Sequence, residues 1–204
     1  MIVLPKLYPI VDSSFHADTK ALVAFCEHLH DGGCSILQYR NKRNSAKQAV
    51  GEARVLKQQL GDSIKLIMND RADLSIAAKF DGVHVGQDDL SPDGARNVIG
   101  PNRWLGVSTH NPEQVIAADQ TSANYLAIGP VFATTSKQNP DPIIGLEGVR
   151  RARELTRKPL VAIGGITRSN CRSVIEVGAD SVAVISDLIH NPRNSAEEFL
   201  SILR

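Results

Sequence analysis

The 204 residues carry 23 Lys and Arg against 22 Asp and Glu, a formal net charge of +1, with 42% hydrophobic and 22% charged residues. So even a balance excludes the basic field that nucleic acid or an anionic membrane surface requires, and no apolar run approaches the roughly 18 residues of a membrane span. The chain is long enough to bury a core of its own, and with aromatics at 4% that core has to be aliphatic.

In chain order, short apolar runs alternate with stretches of helical period. Strands are expected at 7–11, 35–40, 65–69, 82–85, 104–109, 125–129, 159–165 and 181–186. They show little apolar–polar alternation, as parallel strands covered on both faces should. Leu22, Phe25, Cys26 and Leu29 mark a helix over 19–30, and a second runs over 45–60. Ser91-Pro92-Asp93 and Asn111-Pro112-Glu113 each read as N-cap, first-turn proline and first-turn acid. Further helices are expected at 145–155, 169–177 and 195–203, with a short one at 187–190. Strand–helix alternation repeated eight times predicts an α/β fold, a single (β/α)8 TIM barrel spanning 1–204 as one catalytic domain. The rival is an open doubly wound sheet. The longest irregular stretch is 130–144, and loops of that length tend to carry function.

Cys26, Cys34 and Cys171 have no CxxC spacing and read as reduced, buried thiols of a cytoplasmic protein. The N-terminal residues lack the sustained apolar run of a signal peptide.

In a barrel of this kind the site lies at the C-terminal strand ends. The second strand ends in Gln38-Tyr39-Arg40-Asn41-Lys42, where alternation lets Gln38, Arg40 and Lys42 share a face: an amide and two cations, suited to an oxygen-rich anion. Such residues could equally be a solvated strand end. The third ends in Asn69-Asp70 and the fourth in Gln87-Asp88-Asp89. Carboxylates there can simply pair with Lys and Arg, but Mg²⁺ takes one or two carboxylates with phosphate oxygens and water, so a magnesium–pyrophosphate site is expected. Ser108 closes the fifth strand beside His110, which could be no more than a helix-start residue. After the sixth strand, Thr134-Thr135-Ser136-Lys137 offers three hydroxyls and a cation, either a phosphate clamp or a polar loop. Gly164-Gly165 after the seventh strand and Ile185-Ser186 at the end of the eighth fall where this fold binds phosphate. Two anion sites, with the 130–144 loop able to close over both, suggest the joining of two phosphorylated small molecules.

LYPIVDS, QYRNK, IMNDR, GVHVGQDDL, LGVSTH, GPVFATTSK with GLEG, VAIGGI and SVAVIS follow one another along nearly the whole chain, and in this set and order the sequence resembles the thiamine-phosphate synthases. The resemblance implies a transferase that couples 4-amino-2-methyl-5-(diphosphooxymethyl)pyrimidine to a thiazole phosphate, releasing pyrophosphate. It implies that Gln38, Arg40, Lys42, Asn69, Ser108 and Lys137 bind the pyrimidine diphosphate, with Arg40, Lys42, Ser108 and Lys137 acting in catalysis. Thr134, Ser136, Gly164, Gly165, Ile185 and Ser186 would hold the thiazole phosphate, and Asp70 and Asp89 the Mg²⁺. The implied chemistry is dissociative: pyrophosphate leaves, and the thiazole nitrogen attacks the pyrimidine methyl cation. Ala133, Ser136 and the apolar Ile143-Ile144 depart from the family's usual residues and bear on loop closure, not on the reaction. The rivals are an isomerase like the thiazole tautomerase paralogues, a non-catalytic phosphate-ligand sensor, and an unrelated phosphosugar barrel enzyme. The partners implied are the two small-molecule substrates, and oligomeric state is left open, a homo-oligomer included.

Overall fold

The computed structural model describes residues 2–134 and 141–204. Eight parallel strands close into a barrel in chain order: β1 (Leu7–Asp12), β2 (Ile36–Arg40), β3 (Lys65–Asn69), β4 (Gly82–Val85), β5 (Trp104–Thr109), β6 (Tyr125–Ile128), β7 (Leu160–Ile163) and β8 (Ser181–Val184). Closure is made by β8 pairing with β1, Tyr8 opposite Ala183, and this excludes the open sheet.

The strands lack alternation because both of their faces are buried. One set of residues, including Tyr8, Ile10, Ile36, Ile67, Tyr125, Ala127, Val161 and Ala183, fills the barrel interior. The other, including Leu7, Val11, Leu37, Leu66, Met68, Val83 and Leu105, packs outward with the helices. Each fully buried aliphatic side chain contributes about 1.5–3 kcal/mol.

The helices are α1 (Thr19–Asp31), α2 (Ala46–Leu60), α3 (Ala72–Ala77), α4 (Pro92–Ile99), α5 (Pro112–Asp119), α6 (Gly145–Leu155), α7 (Cys171–Glu176) and α8 (Pro192–Ile202). Their starts are set chemically. Asp18 accepts from the Ala21 N–H, and Ser45 and Gln48 form a reciprocal capping box. Ser91 and Asn111 cap α4 and α5, each followed by proline, as expected.

The departures from expectation are local. The six-residue α3 is too short to show a helical period. The last helix begins at Pro192 rather than 195, entered through Asn191 in the left-handed region (φ +52°). α7 is shorter than 169–177, and the short helix expected at 187–190 is a 3-10 helix at Ser186–Leu188. A further 3-10 turn, Ser13–Phe15, follows β1.

Candidate active site

The C-terminal strand ends open on a cavity of about 440 Å³. Gln38, Arg40, Lys42, Asn69, Asp70, Asp89, Ser108, Thr134, Gly164, Gly165, Ile185 and Ser186 all line it. Ser136 and Lys137 lie outside the described residues.

On the β1–β4 side, Arg40 forms an ion pair with Asp12, its direct partner in the β1–β2 register. Asp12 also accepts from the Ser14 N–H at 2.9 Å, so the carboxylate is held by backbone while it holds the guanidinium. Lys42 pairs with Asp70. Asp70 sits in the left-handed region (φ +64°), a conformation costing a non-glycine residue about 1–3 kcal/mol and kept only where its surroundings enforce it. Its N–H donates to the His84 carbonyl at 2.7 Å, which fixes the turn.

Asp89 accepts from the Gly86 N–H at 2.7 Å. Burial raises its pKa above the usual carboxylate range, and the neighbouring Asp70 carboxylate pushes the same way, against the Gly86 N–H and Lys42. Two carboxylates brought together in this way repel each other, and a divalent cation relieves that repulsion. Among the described residues no group of three or more His, Cys, Asp or Glu gathers to form an all-protein metal cage. Mg²⁺ does not require one, since it completes its shell with phosphate and water. The pair therefore fits a magnesium site shared with a substrate.

Across the cavity, Gly164 and Gly165 adopt φ +101° and +63°. A Cβ on Gly164 would lie 2.6 Å from the Pro130 Cα, and one on Gly165 would lie 2.4 Å from the Ala133 carbonyl oxygen. The glycines are needed first because the β6 loop packs directly on them. Val131 and Phe132 donate to the Ile163 and Gly164 carbonyls, at 2.9 and 3.0 Å. Asn170 donates to the Gly165 carbonyl at 3.0 Å, and the Asp187 carboxylate takes the Arg168 backbone N–H and guanidinium, tying the 3-10 turn at Ser186 to the β7 loop. The loop's far end returns to its base: Ile144 and Gly145 donate to the Pro130 and Val131 carbonyls.

Between the two sides, His84 is buried in the wall, within hydrogen-bond reach of the Ser108 hydroxyl (2.8 Å) and the Tyr125 hydroxyl (3.2 Å). Burial pushes its pKa down to about 4, outweighing the Asp89 charge, so the ring is neutral near pH 7. His110 also lines the cavity, and its Nδ1–H donates to the Gly129 carbonyl at 2.6 Å. Sequence reasoning missed Asp12 and His84. Both stand inside the quoted runs LYPIVDS and GVHVGQDDL, but nothing in a strand residue's type says which neighbour it will face.

A closed (β/α)8 barrel with cations and paired carboxylates on one side of its mouth, and a glycine turn on the other, belongs among the phosphate-handling barrel enzymes. Within that class, the chain is a member of the thiamine monophosphate synthase family, whose model matches residues 7–188. A thiamine-phosphate synthase of Koribacter versatilis (strain Ellin345) is 59% identical over 203 residues, covering 98% of this chain and 96% of that protein. One from Methanosarcina mazei is 35% identical over 199 residues, covering 97% of this chain and 82% of that protein. The solved thiamine phosphate pyrophosphorylase from Pyrococcus furiosus superposes with a TM-score of 0.86 at 32% identity, covering 97% of this chain and 95% of that one. Family membership makes the chain a transferase of thiamine synthesis.

Proposed function

We propose that the chain joins 4-amino-2-methyl-5-(diphosphooxymethyl)pyrimidine to a thiazole phosphate, giving thiamine phosphate and pyrophosphate. The observation carrying this reading is that one cavity holds Arg40, Lys42, Asp70 and Asp89 on one side and the Gly164–Gly165 turn with Ser186 on the other. An isomerase or a phosphate-ligand sensor needs only the second of these.

The C–O bond to the diphosphate breaks with its electron pair leaving on oxygen, and the pyrimidine methyl carbon becomes a cation stabilised by the ring amino group. Arg40 and Lys42 stand where leaving-group charge develops, which is electrostatic catalysis by groups already in place. Arg40 is the better fixed of the two, because Asp12 holds it. Mg²⁺, held by Asp70 and Asp89, supplies further neutralisation of diphosphate charge when bound. The thiazole nitrogen then forms the new C–N bond with its lone pair. It carries no proton, so no base or covalent nucleophile is needed.

Apolar wall residues, among them Ile10, Ala127, Val161, Ile163, Ala183 and Ile185, keep water from the cation. The thiols take no part: Cys26, Cys34 and Cys171 are buried and line no part of the cavity. Gln38, Asn69 and Ser108 complete the pyrimidine side, Thr134 and Ile185 the thiazole side. The family resemblance assigns Lys137 to the diphosphate and Ser136 to the thiazole phosphate.

The deciding experiment incubates the protein with both substrates and Mg²⁺ and quantifies pyrophosphate and thiamine phosphate. Equal release of the two products is expected. Release of neither overturns the reading.

A further inference from the structure

A chain of five polar side chains from five strands crosses the barrel at the cavity floor, and its three middle members have no part in the chemistry above. Gln38 Nε2 donates to the Tyr8 hydroxyl at 3.3 Å. The Tyr8 and Tyr125 hydroxyls are 2.8 Å apart. Tyr125 Oη lies 3.2 Å from His84 Nδ1, and His84 Nε2 lies 2.8 Å from Ser108 Oγ. Both phenols are fully buried, and burial raises their pKa, so each keeps its one proton. Gly106, opposite both His84 and Tyr125 in register, makes the crossing possible: a Cβ there would lie 2.2 Å from Tyr125 Cζ and 2.3 Å from His84 Nδ1.

Counting protons gives the chain a direction. Among the described residues the hydrogen-bond partners of the Tyr8 hydroxyl are Gln38 Nε2, which can only donate, and Tyr125 Oη, so the Tyr8 proton goes to Tyr125. The Tyr125 proton then goes to His84 Nδ1, which can bear none of its own. A ring that accepts at Nδ1 carries its proton on Nε2 and donates to Ser108 Oγ. The Ser108 hydroxyl proton is left to face the cavity, and at the other end Gln38 Oε1 is left as an acceptor.

We propose that Tyr8, Tyr125 and His84 are positioning residues that hold Ser108 as a hydrogen-bond donor and Gln38 Oε1 as an acceptor on the cavity wall. The wall thereby selects the aminopyrimidine substrate, which offers an N–H to one end and an acceptor oxygen or ring nitrogen to the other. This rests on the reading that Gln38 and Ser108 bind the pyrimidine diphosphate.

The first test uses the unaltered protein: ¹⁵N NMR of the His84 ring at neutral pH. The expected result is the Nε2–H tautomer. The Nδ1–H tautomer or an imidazolium reverses the direction and overturns the proposal. The second is a double-mutant cycle. Tyr125 lies outside the cavity wall, and Tyr125→Phe removes only the link in the middle. It is expected to lower kcat/KM for the pyrimidine diphosphate about tenfold, the effect of one lost hydrogen bond, while leaving KM for the thiazole phosphate unchanged. In a Ser108→Ala background the same substitution should change almost nothing, because its effect runs through Ser108. Additive losses, or equal losses for both substrates, mean structural damage only and overturn the proposal. Should the unaltered protein form no thiamine phosphate, the functional reading fails, while the tautomer still reports on the chain. Should Tyr125→Phe not fold, the tautomer decides alone.

Discussion

Asp12 and Arg40 are direct partners across the β1–β2 ladder, and their side chains form an ion pair at the cavity mouth. The Asp12 carboxylate is almost fully buried, so it acts as a fixed mount for the guanidinium rather than as a screened surface charge. Replacing Asp12 by Ala should release Arg40 from its orientation while leaving its charge in place. The expected outcome is a fall of about tenfold in kcat/KM for the pyrimidine diphosphate, in line with one charge-assisted hydrogen bond, and little change in KM for the thiazole phosphate. Steady-state kinetics with each substrate varied in turn checks this. Unchanged kinetics would mean that Arg40 is placed by something other than Asp12.

The Asp70–Asp89 pair leads to a metal dependence. Exhaustive chelation should abolish coupling, and added Mg²⁺ should restore it. Asp89→Asn should raise the Mg²⁺ concentration needed for half-maximal activity by an order of magnitude or more, with thermal stability nearly kept, because the pair lies on the rim and not in the core. Full activity in a verified metal-free sample would sink the assignment.

At Gly165 the structure separates two effects. The residue is at φ +63°, and an added Cβ meets the Ala133 carbonyl oxygen at 2.4 Å and the Phe132 Cβ at 2.8 Å. Gly165→Ala should therefore push the β6 loop away from β7 and lower stability by about 1–3 kcal/mol. KM for the thiazole phosphate should rise more than KM for the pyrimidine diphosphate. Thermal unfolding and paired KM measurements test the two halves independently, and equal rises in both KM values would point to general damage of the rim.

Burial raises the thiols of Cys26 and Cys34 from 9.0 to about 12. A group whose pKa is raised on folding binds its proton more tightly in the folded state. The stability this brings is complete below the unfolded value near 9 and is lost as pH climbs from 9 toward 12. Unfolding free energy should accordingly fall above pH 9, by up to about 1.4 kcal/mol per pH unit for each thiol. Neither thiol should react with iodoacetamide at pH 8 unless the chain is unfolded. Rapid labelling of Cys26 or Cys34 in the native protein would contradict their burial.

The barrel and most of the cavity mouth were legible in the chain itself. Eight strands could be read because residues buried on both faces make plain apolar runs, and Gln38, Arg40, Lys42, Asp70 and Asp89 could be read because their polarity breaks those runs at one end. What could not be read depends on register. Tyr8 and Tyr125 look like ordinary strand aromatics, and His84 like an isolated polar residue in GVHV, until closure of the sheet sets them within hydrogen-bond distance. Gly106 has the same character: its need for a missing side chain exists only because Tyr125 and His84 converge on it from the two neighbouring strands. The helix at Ala72–Ala77 was missed for a different reason, being too short to display a period.

The hydrogen bonds from Ile144 and Gly145 back to Pro130 and Val131 join the two feet of the β6 loop at its base. With its feet joined, the loop is an excursion that begins and ends at one place on the barrel wall. Lengthening such an excursion adds only about 0.6 kcal/mol of closure entropy per doubling, and it shifts no strand. A longer connection between the feet would therefore leave the wall beneath unmoved. New substrate preferences could be grafted there without the barrel having to be solved again.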